Sequence, residues 1–359
     1  NPETRRSGGM HYTSIENIHK VIDPLFLDDL KAELKEIQKI DVLNTKEKQL
    51  RAFQDKLASL SFLDPAAGSG NFLTESYTCL RKLENEVIRL LPDQQITMGE
   101  VINPIRVSIS QFYGIEINDF AVTVARTALW IAENQMMKET EDIVHMDLDF
   151  LPLKTNASIV EGNALRIDWN DVVLKEELNY IMGNPPFVGY KMQSVSQKED
   201  LRPLIGNVKN IDYVSGWYYK AASYSQNTKI KTAFVSTNSI TQGEQVSAVW
   251  ERLINDYNVN IDFAYRTFVW DSEATQKAHV HCVIIGFDTM AASGTAKRIV
   301  VTRANTHRLA VLRQSACARP NRVLDHGFKE SLVANVQAFI TRPLIRVEVE
   351  ACTAARESG

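Results

Sequence analysis

A short run of rigid and polar residues, Asn184-Pro185-Pro186-Phe187, follows an apolar segment that ends at residue 183. Two consecutive prolines restrict the backbone, so they hold the neighbouring groups in place. Asn184 offers a side-chain carbonyl, and Pro185 a main-chain carbonyl without a competing N–H. Two such acceptors suit the exocyclic amine of a planar substrate, because they draw the nitrogen toward tetrahedral geometry and localise its lone pair. The ring of Phe187 could stack on that substrate, a contact worth ~1–3 kcal/mol.

A second candidate segment is a turn of small residues at positions 64–72. It reads Asp64-Pro65-Ala66-Ala67-Gly68-Ser69-Gly70-Asn71-Phe72. The pattern predicts a strand, a tight turn and a helix start, where small residues let a ligand approach the backbone and the helix N-terminus offers free N–H groups. Asp64 adds a carboxylate that could accept from a ligand amine. The alternative is a tight turn without a ligand, because the segment is neither GxGxxG nor a P-loop.

Two further strand ends carry polar groups. In Gly114-Ile115-Glu116-Ile117, Glu116 could accept two hydrogen bonds from a ribose diol, or could simply be solvated. Ile117 could pack on a purine face or belong to the core. In Glu161-Gly162-Asn163-Ala164, the amide of Asn163 could bond an adenine edge or serve a turn.

The elements that must position these residues alternate along the chain. We predict helices over residues 14–58, interrupted at Pro24, and then seven strands separated largely by helices. The strands begin near residues 60, 111, 157, 180, 231, 260 and 278. Alternation of this kind predicts an α/β fold with a mostly parallel sheet covered on both faces.

The bulk properties set limits on domains and location. Three regions are predicted: an N-terminal helical segment (1–58), a catalytic domain (59–287) and a basic tail (288–359). The formal net charge of -4 argues against a generic polyanion binder, although a local basic face remains compatible with it. No CxxC pair occurs, so neither a zinc site nor a disulfide framework is indicated. We expect a cytoplasmic protein without a membrane span.

The set DPAAGSGNF, GIEI, GNAL and NPPF resembles the S-adenosylmethionine-dependent DNA adenine-N6 methyltransferases. GGMHYTS, at residues 8–14, resembles the additional cofactor motif of that family's γ-class order. The longer run beginning HYTSIENIHK is similar to the methylase portion of single-chain Type II restriction–modification enzymes, over about residues 8–287. The resemblance implies a Rossmann-like class I methyltransferase with a seven-stranded sheet. It also implies nuclease and recognition domains in a longer chain.

The resemblance also implies roles for individual residues. The methionine part of S-adenosylmethionine would be held by the glycine turn and Thr13, the ribose by Glu116, and the adenine by Ile117 and Asn163. The implied cofactor-binding set is Thr13, Asp64, Ala66, Gly68, Gly70, Asn71, Phe72, Glu116, Ile117, Asn163 and Ala164. The implied catalytic set is Asn184, Pro185, Pro186 and Phe187.

The reaction implied by the resemblance is in-line attack of the N6 amine of an adenine, flipped out of double-stranded DNA, on the sulfonium methyl. No Pro-Cys pair occurs, which disfavours a cytosine-C5 route through a cysteine adduct, and no metal is needed. Two alternatives remain open. One is methyl transfer to RNA or to protein glutamine, and the other is a cofactor-binding scaffold that is inactive without its DNA-recognition domain.

Overall fold

An eight-stranded sheet forms the centre of the protein in a computed structural model. The model describes residues 13–91, 103–146, 148, 157–206, 210–242, 244–270, 280–290 and 300–302. The strands are β1 (Phe62–Asp64), β2 (Phe112–Glu116), β3 (Ser158–Glu161), β4 (Tyr180–Gly183), β5 (Lys231–Thr237), β6 (Asn260–Trp270), β7 (Val280–Asp288) and β8 (Val300–Thr302). Their order across the sheet is β3-β2-β1-β4-β5-β7-β6-β8.

The first five strands are parallel, and the far side of the sheet is antiparallel. Strand β1 lies between β2 and β4, with Phe62 opposite both Phe112 and Tyr180. Strand β7 runs antiparallel to both β5 and β6. All seven predicted strands are therefore confirmed. The structure adds β8, which pairs in parallel with β6 at Phe263 and Val300.

Helices precede the sheet and connect its strands. Within the described residues they are α1 (Ile15–Ile22), α2 (Asp28–Gln38), α3 (Leu43–Ser59), α4 (Asn71–Leu90), α5 (Asp119–Val144), α6 (Val195–Ile205), α7 (Ser215–Tyr224), α8 (Glu244–Val246) and α9 (Arg252–Tyr257). Two π-helical segments, Asp23–Leu27 and Ser247–Glu251, continue into α2 and α9.

The interruption predicted at Pro24 is wrong. Pro24 lies at the start of the π-helical segment, where the N–H of Asp28 donates to the carbonyl of Asp23. Proline has no N–H to donate and fits the first turn of a helical segment, so the wider turn accommodates it and the helix continues. The break lies instead after α2, before α3 begins at Leu43.

Apolar side chains cover the sheet on both faces. One face packs against α1–α5 and includes Phe62, Phe112 and Ile284. The core on the opposite face contains Phe234 of β5 together with Trp169 and Trp250 from the segments that cover it, and all three are fully buried. Neighbouring residues on one strand alternate between the faces, as the two-residue period of a strand requires. Covering both faces leaves the ends of the strands as the places where a site can open.

The three-region division stays a prediction. Residues 8–12 of the N-terminal motif lie outside the described residues, as does most of the predicted tail. The helices that the structure describes include none with the length and apolar character needed to cross a bilayer.

Candidate functional site

The candidate residues converge at one edge of the sheet. Asp64, Glu116, Glu161 and Gly183 are the last residues of β1, β2, β3 and β4. Because these strands are parallel, their carboxyl ends meet at the same edge. The order reverses between β1 and β4, since β2 and β3 lie on one side and β5 on the other. Ligands of open α/β sheets bind at such a switch point.

The two glycines of the turn after β1 serve different purposes. Gly68 has φ +54°, and a Cβ built there would meet no heavy atom within 4 Å. Gly70 has φ +81°, and a Cβ there would lie 2.9 Å from the Cβ of Ala125 on α5. Gly70 therefore permits close packing of the turn on α5, whereas Gly68 leaves open space beside the backbone. Asn71 and Phe72 open α4 directly after the turn, with Phe72 buried.

Asp64 is a buried carboxylate in contact with the next strand. Its side chain is 1% exposed, and its Oδ1 accepts a hydrogen bond from the N–H of Ala66 at 2.9 Å. A Cβ at Gly183 would lie 2.4 Å from that oxygen, so only glycine fits there. Burial raises the pKa of Asp64 from 3.8 to about 8; the Ala66 N–H opposes the rise and the Glu116 charge adds to it. A bound cation would stabilise the ionised form.

Glu116 joins the glycine turn to β2. Its Oε2 accepts from the N–H of Gly68 at 2.9 Å, and its Oε1 accepts from the N–H of Asn118 at 2.9 Å. An ionised carboxylate has about four acceptor positions, so each oxygen can take a further donor. The side chain is half-buried at the sheet edge, which leaves it accessible to a diol.

The residues assigned to adenine differ in their surroundings. Ile117 is 66% exposed, so the alternative that it belongs to the core is wrong. The amide of Asn163 donates to Asp200 at 3.0 Å and accepts from the N–H of Leu165 at 3.0 Å. Asn163 thus fills the role of a turn asparagine, and a contact with adenine would use its second N–H or lone pair. Ala164 is buried beside it.

The Asn184–Phe187 segment leaves β4 beside Asp64. Pro185 is buried, Pro186 is exposed and Phe187 is half-buried against both core faces. The side-chain Oδ1 of Asn184 is buried and has no hydrogen-bond partner among the residues that the structure describes. A buried acceptor without a donor is costly, so it indicates a position where a ligand donor belongs.

Thr13 contacts Asn184 directly. Its hydroxyl accepts from the Nδ2 of Asn184 at 3.4 Å, and Thr13 is 3% exposed. The interpretation of Thr13 as a cofactor ligand thus gains an alternative, in which it orients the Asn184 amide.

Asp212 anchors the end of the Asn184–Phe187 segment and is not among the residues predicted from the sequence. Its Oδ1 accepts from the N–H groups of Val188 at 3.1 Å and Val214 at 3.2 Å. Its Oδ2 accepts from the hydroxyl of Thr237 at 3.2 Å. Burial raises the pKa of Asp212, although these donors oppose the rise. No local pattern marks this residue, because its partners lie on different elements.

Two residues outside the predicted site sets support the turns. The indole N–H of Trp217 donates to the carbonyl of Pro65 at 3.0 Å, which holds the glycine turn. Asp200, on α6, accepts from Asn163, from the Nε of Arg166 at 2.5 Å and from the hydroxyl of Tyr213 at 2.7 Å. Both residues are buried and lie behind the candidate site.

The acceptor groups at this edge fit S-adenosylmethionine. Asp64 could take its ammonium group, Glu116 could take its ribose diol, and open space lies beside Gly68. The sheet is mostly parallel, and its strand β7 lies between β5 and β6 and runs antiparallel to both. These features together define a Rossmann-like class I methyltransferase.

Comparison with known proteins identifies the family. The model of the family described as "MmeI, DNA-methyltransferase domain" matches residues 40–300, and the chain belongs to that family. DNA methyltransferase A of Bacillus subtilis (strain 168) is 44% identical over 291 residues. The Type IIL restriction-modification enzyme MmeI, solved in complex with DNA, has 42% sequence identity to this chain, and the two structures superpose with a TM-score of 0.78. The resemblance to the methylase portion of such enzymes is thus confirmed.

The chain corresponds to part of these proteins. The Bacillus subtilis match covers 79% of this chain and 32% of the relative. The MmeI match covers 88% of this chain and 41% of the MmeI chain. The chain therefore spans about a third of the length of its curated relative, and the methyltransferase region is the part they share.

Proposed function

We propose that this chain transfers a methyl group from S-adenosylmethionine to the N6 amine of adenine in double-stranded DNA. The observation that carries the proposal is the buried Oδ1 of Asn184, which has no hydrogen-bond partner within the described ranges and follows Gly183, the neighbour of Asp64, at the switch point of the sheet. A buried acceptor of this kind is suited to accept a hydrogen bond from an amine of the substrate. Membership of a DNA-methyltransferase family makes a DNA base the natural source of that amine.

Asn184 and Pro185 would activate the amine. Its two N–H bonds would donate to the Asn184 Oδ1 and the Pro185 carbonyl, which localises the nitrogen lone pair. When bound, S-adenosylmethionine supplies a methyl group on a positively charged sulfur. The amine nitrogen would bond to the methyl carbon as the S–C bond breaks, the sulfur would keep that electron pair as a neutral thioether, and the methylated amine would lose one proton to solvent. The protein contributes positioning and preorganised acceptors rather than a covalent bond.

Phe187 and the prolines would hold the base. Extruding an adenine from the duplex costs a few kcal/mol, part of which stacking on the ring of Phe187 would offset. The ring is half-buried against both core faces, so its plane is set by packing before a base arrives. Pro186 restricts the backbone that presents it.

The setting of this activity would be a restriction–modification or related defence system. The relatives are longer, and one is described as a Type IIL restriction-modification enzyme. We infer that nuclease and recognition domains accompany this domain in a longer chain. The segment that binds a specific DNA sequence would then belong to those parts, in keeping with the net charge of -4 here.

The decisive experiment is nucleoside mass spectrometry after incubation of the chain with labelled S-adenosylmethionine and DNA, RNA or protein. We expect N6-methyladenine in DNA, and Asn184→Ala should abolish it while cofactor affinity changes little. N4-methylcytosine, or label in RNA or protein, would contradict the proposed acceptor. Cofactor binding without transfer to any of them would favour the scaffold alternative.

A further inference from the structure

A cluster of metal-ligand side chains lies away from the candidate site, between α1 and α4. His19 belongs to α1, whereas Glu75 and Cys79 lie four residues apart on one side of α4. One donor atom from each of the three lies within 4.8 Å of the others. The mechanism proposed above uses none of these residues.

The hydrogen bonding of His19 requires a cation. Its Nδ1 lies 2.8 Å from a carboxylate oxygen of Asp23, and its Nε2 lies 3.1 Å from a carboxylate oxygen of Glu75. A neutral imidazole has one N–H and one lone pair. In a neutral imidazole, the nitrogen without a proton would therefore point its lone pair at a lone pair of the facing carboxylate oxygen. Either a second proton or a metal ion between the two groups removes that repulsion.

Cys79 adds a third side chain that could bind a metal ion. Its Sγ lies 3.6 Å from the same Glu75 oxygen that faces His19, and the residue is 8% exposed. Ligands of a tetrahedral Zn²⁺ at 2.0–2.3 Å are separated by about 3.3–3.7 Å, close to the separations of 3.1 Å and 3.6 Å found here. Without an ion the thiol donates to that Glu75 oxygen, and burial together with the Glu75 charge raises the pKa of Cys79 to about 12, so binding of a metal ion would release the thiol proton.

We propose that His19, Glu75 and Cys79 bind one divalent ion of the Zn²⁺ type. Nitrogen, carboxylate and thiolate donors together suit Zn²⁺ and do not suit Mg²⁺ or Ca²⁺, which take oxygen ligands. Asp23 accepts from the other ring nitrogen and orients the imidazole, as carboxylates commonly do behind metal-bound histidines. The side chain of His19 is 28% exposed, which leaves room for a water as fourth ligand.

The ion would fasten the N-terminal helix to the catalytic domain. Helix α1 begins just after Thr13, which contacts Asn184, and α4 begins at the end of the glycine turn. A metal ion bound to both helices would fix the position of the Thr13 segment relative to the glycine turn. The expectation that no metal is needed concerned the methyl-transfer step, and the absence of a CxxC pair gave no sign of a zinc site whose ligands come from two separate helices.

Titration with Co²⁺ tests the proposal. The chain, first treated with chelator, should bind one Co²⁺ with a near-ultraviolet thiolate-to-cobalt absorption, and Zn²⁺ should displace it and raise the Tm. Cys79→Ser should lose the absorption and His19→Gln should lose binding. Asp23→Asn should weaken Zn²⁺ affinity by about 10–100-fold.

Matched controls separate this site from other thiols. Cys282→Ser, and a variant with both Cys317→Ser and Cys352→Ser, should keep the absorption, because those cysteines lie elsewhere in the chain. Circular dichroism verifies the fold of each variant, and His19→Gln decides the question if Cys79→Ser does not fold. Absence of the thiolate absorption in the parent chain, or its persistence in Cys79→Ser or in His19→Gln, would overturn the proposal and leave His19 as a protonated bridge.

Discussion

The side-chain amide of Asn184 donates to the hydroxyl of Thr13 at 3.4 Å, although 171 residues separate them. An amide that donates through Nδ2 presents its Oδ1 elsewhere, and that oxygen is buried without a partner in the described part of the chain. Thr13 therefore engages one end of the amide, and the other end is left for a ligand. The N-terminal segment thus bears directly on the candidate catalytic group.

We predict that Thr13→Val lowers kcat by ~10–100-fold, because the Asn184 amide loses the contact that orients it. Cofactor Kd should stay near the parent value. Thr13→Ser keeps the hydroxyl and should restore most of the rate. Single-turnover kinetics and calorimetric titration measure the two effects separately. A large rise in cofactor Kd with an unchanged rate would instead support Thr13 as a cofactor ligand.

Cofactor affinity should rise with pH toward about 8. Burial raises the pKa of Asp64 from 3.8 to about 8, so the carboxyl is mostly protonated near neutral pH and must lose a proton to accept an ammonium group. The affinity should therefore increase by up to about tenfold per pH unit below the raised pKa. Calorimetry in buffers of different ionisation enthalpy should detect the released proton. Asp64→Asn should bind weakly and without this pH dependence.

The same pKa affects the stability of the cofactor-free protein. The folded state retains the Asp64 proton between pH 3.8 and about 8, whereas the unfolded chain loses it near pH 3.8. The contribution of this group is thus fully present below pH 3.8 and is lost as the pH rises through about 8. Urea unfolding across this range should show a smaller pH dependence for Asp64→Asn than for the parent chain.

Alanine at the two turn glycines should produce different defects. At Gly68, with φ +54°, a methyl group meets no neighbour among the described residues, so Gly68→Ala should cost about 1–2 kcal/mol of backbone strain and fill the space where we propose that the cofactor binds. At Gly70, a Cβ would lie 2.9 Å from that of Ala125, so overpacking adds about 1–3 kcal/mol.

Urea unfolding and cofactor titration of the two glycine variants provide the comparison. Gly70→Ala should be the less stable variant, whereas Gly68→Ala should show the larger rise in cofactor Kd relative to its loss of stability. Equal effects of both substitutions on cofactor Kd would contradict the division of roles between the glycines.

Asp212 should act on catalysis through the backbone. Asp212→Ala leaves the N–H groups of Val188 and Val214 without their acceptor, which should cost about 1–3 kcal/mol each and displace the segment that carries Phe187. We expect kcat to fall while cofactor Kd changes little. Asp212→Asn retains an oxygen for these donors and should keep most of the activity. If both variants lost activity equally, the negative charge rather than the anchoring would be responsible.

The local motifs could be predicted because each depends on neighbouring residues. Paired prolines after an apolar run, and small residues between a strand and a helix, specify turns through restrictions on φ and ψ. Alternation of strands and helices specifies a mostly parallel sheet, and the seven predicted strands all form. The short β8 was missed because three residues carry too little pattern to distinguish a strand.

Proline and asparagine illustrate the limits of such reasoning. Pro24 was expected to break a helix, but tertiary packing of Leu25, Phe26 and Leu27 favours a wider helical turn. Asn163 was expected either to contact adenine or to serve a turn, and its amide bonds Asp200, 37 residues later, a contact that no local pattern marks. In both cases a partner from another part of the chain decided the local outcome.

The types of group at the candidate site and their order along the chain can be read from the residues alone. Which of them meet depends on the folded chain: Asp64 lies beside Gly183, Asn184 contacts Thr13, and His19 lies near Glu75 and Cys79. Turn and strand preferences act over only a few residues. The meeting of distant groups depends on strand order and on helix packing driven by burial, which is not directional and leaves no local signature.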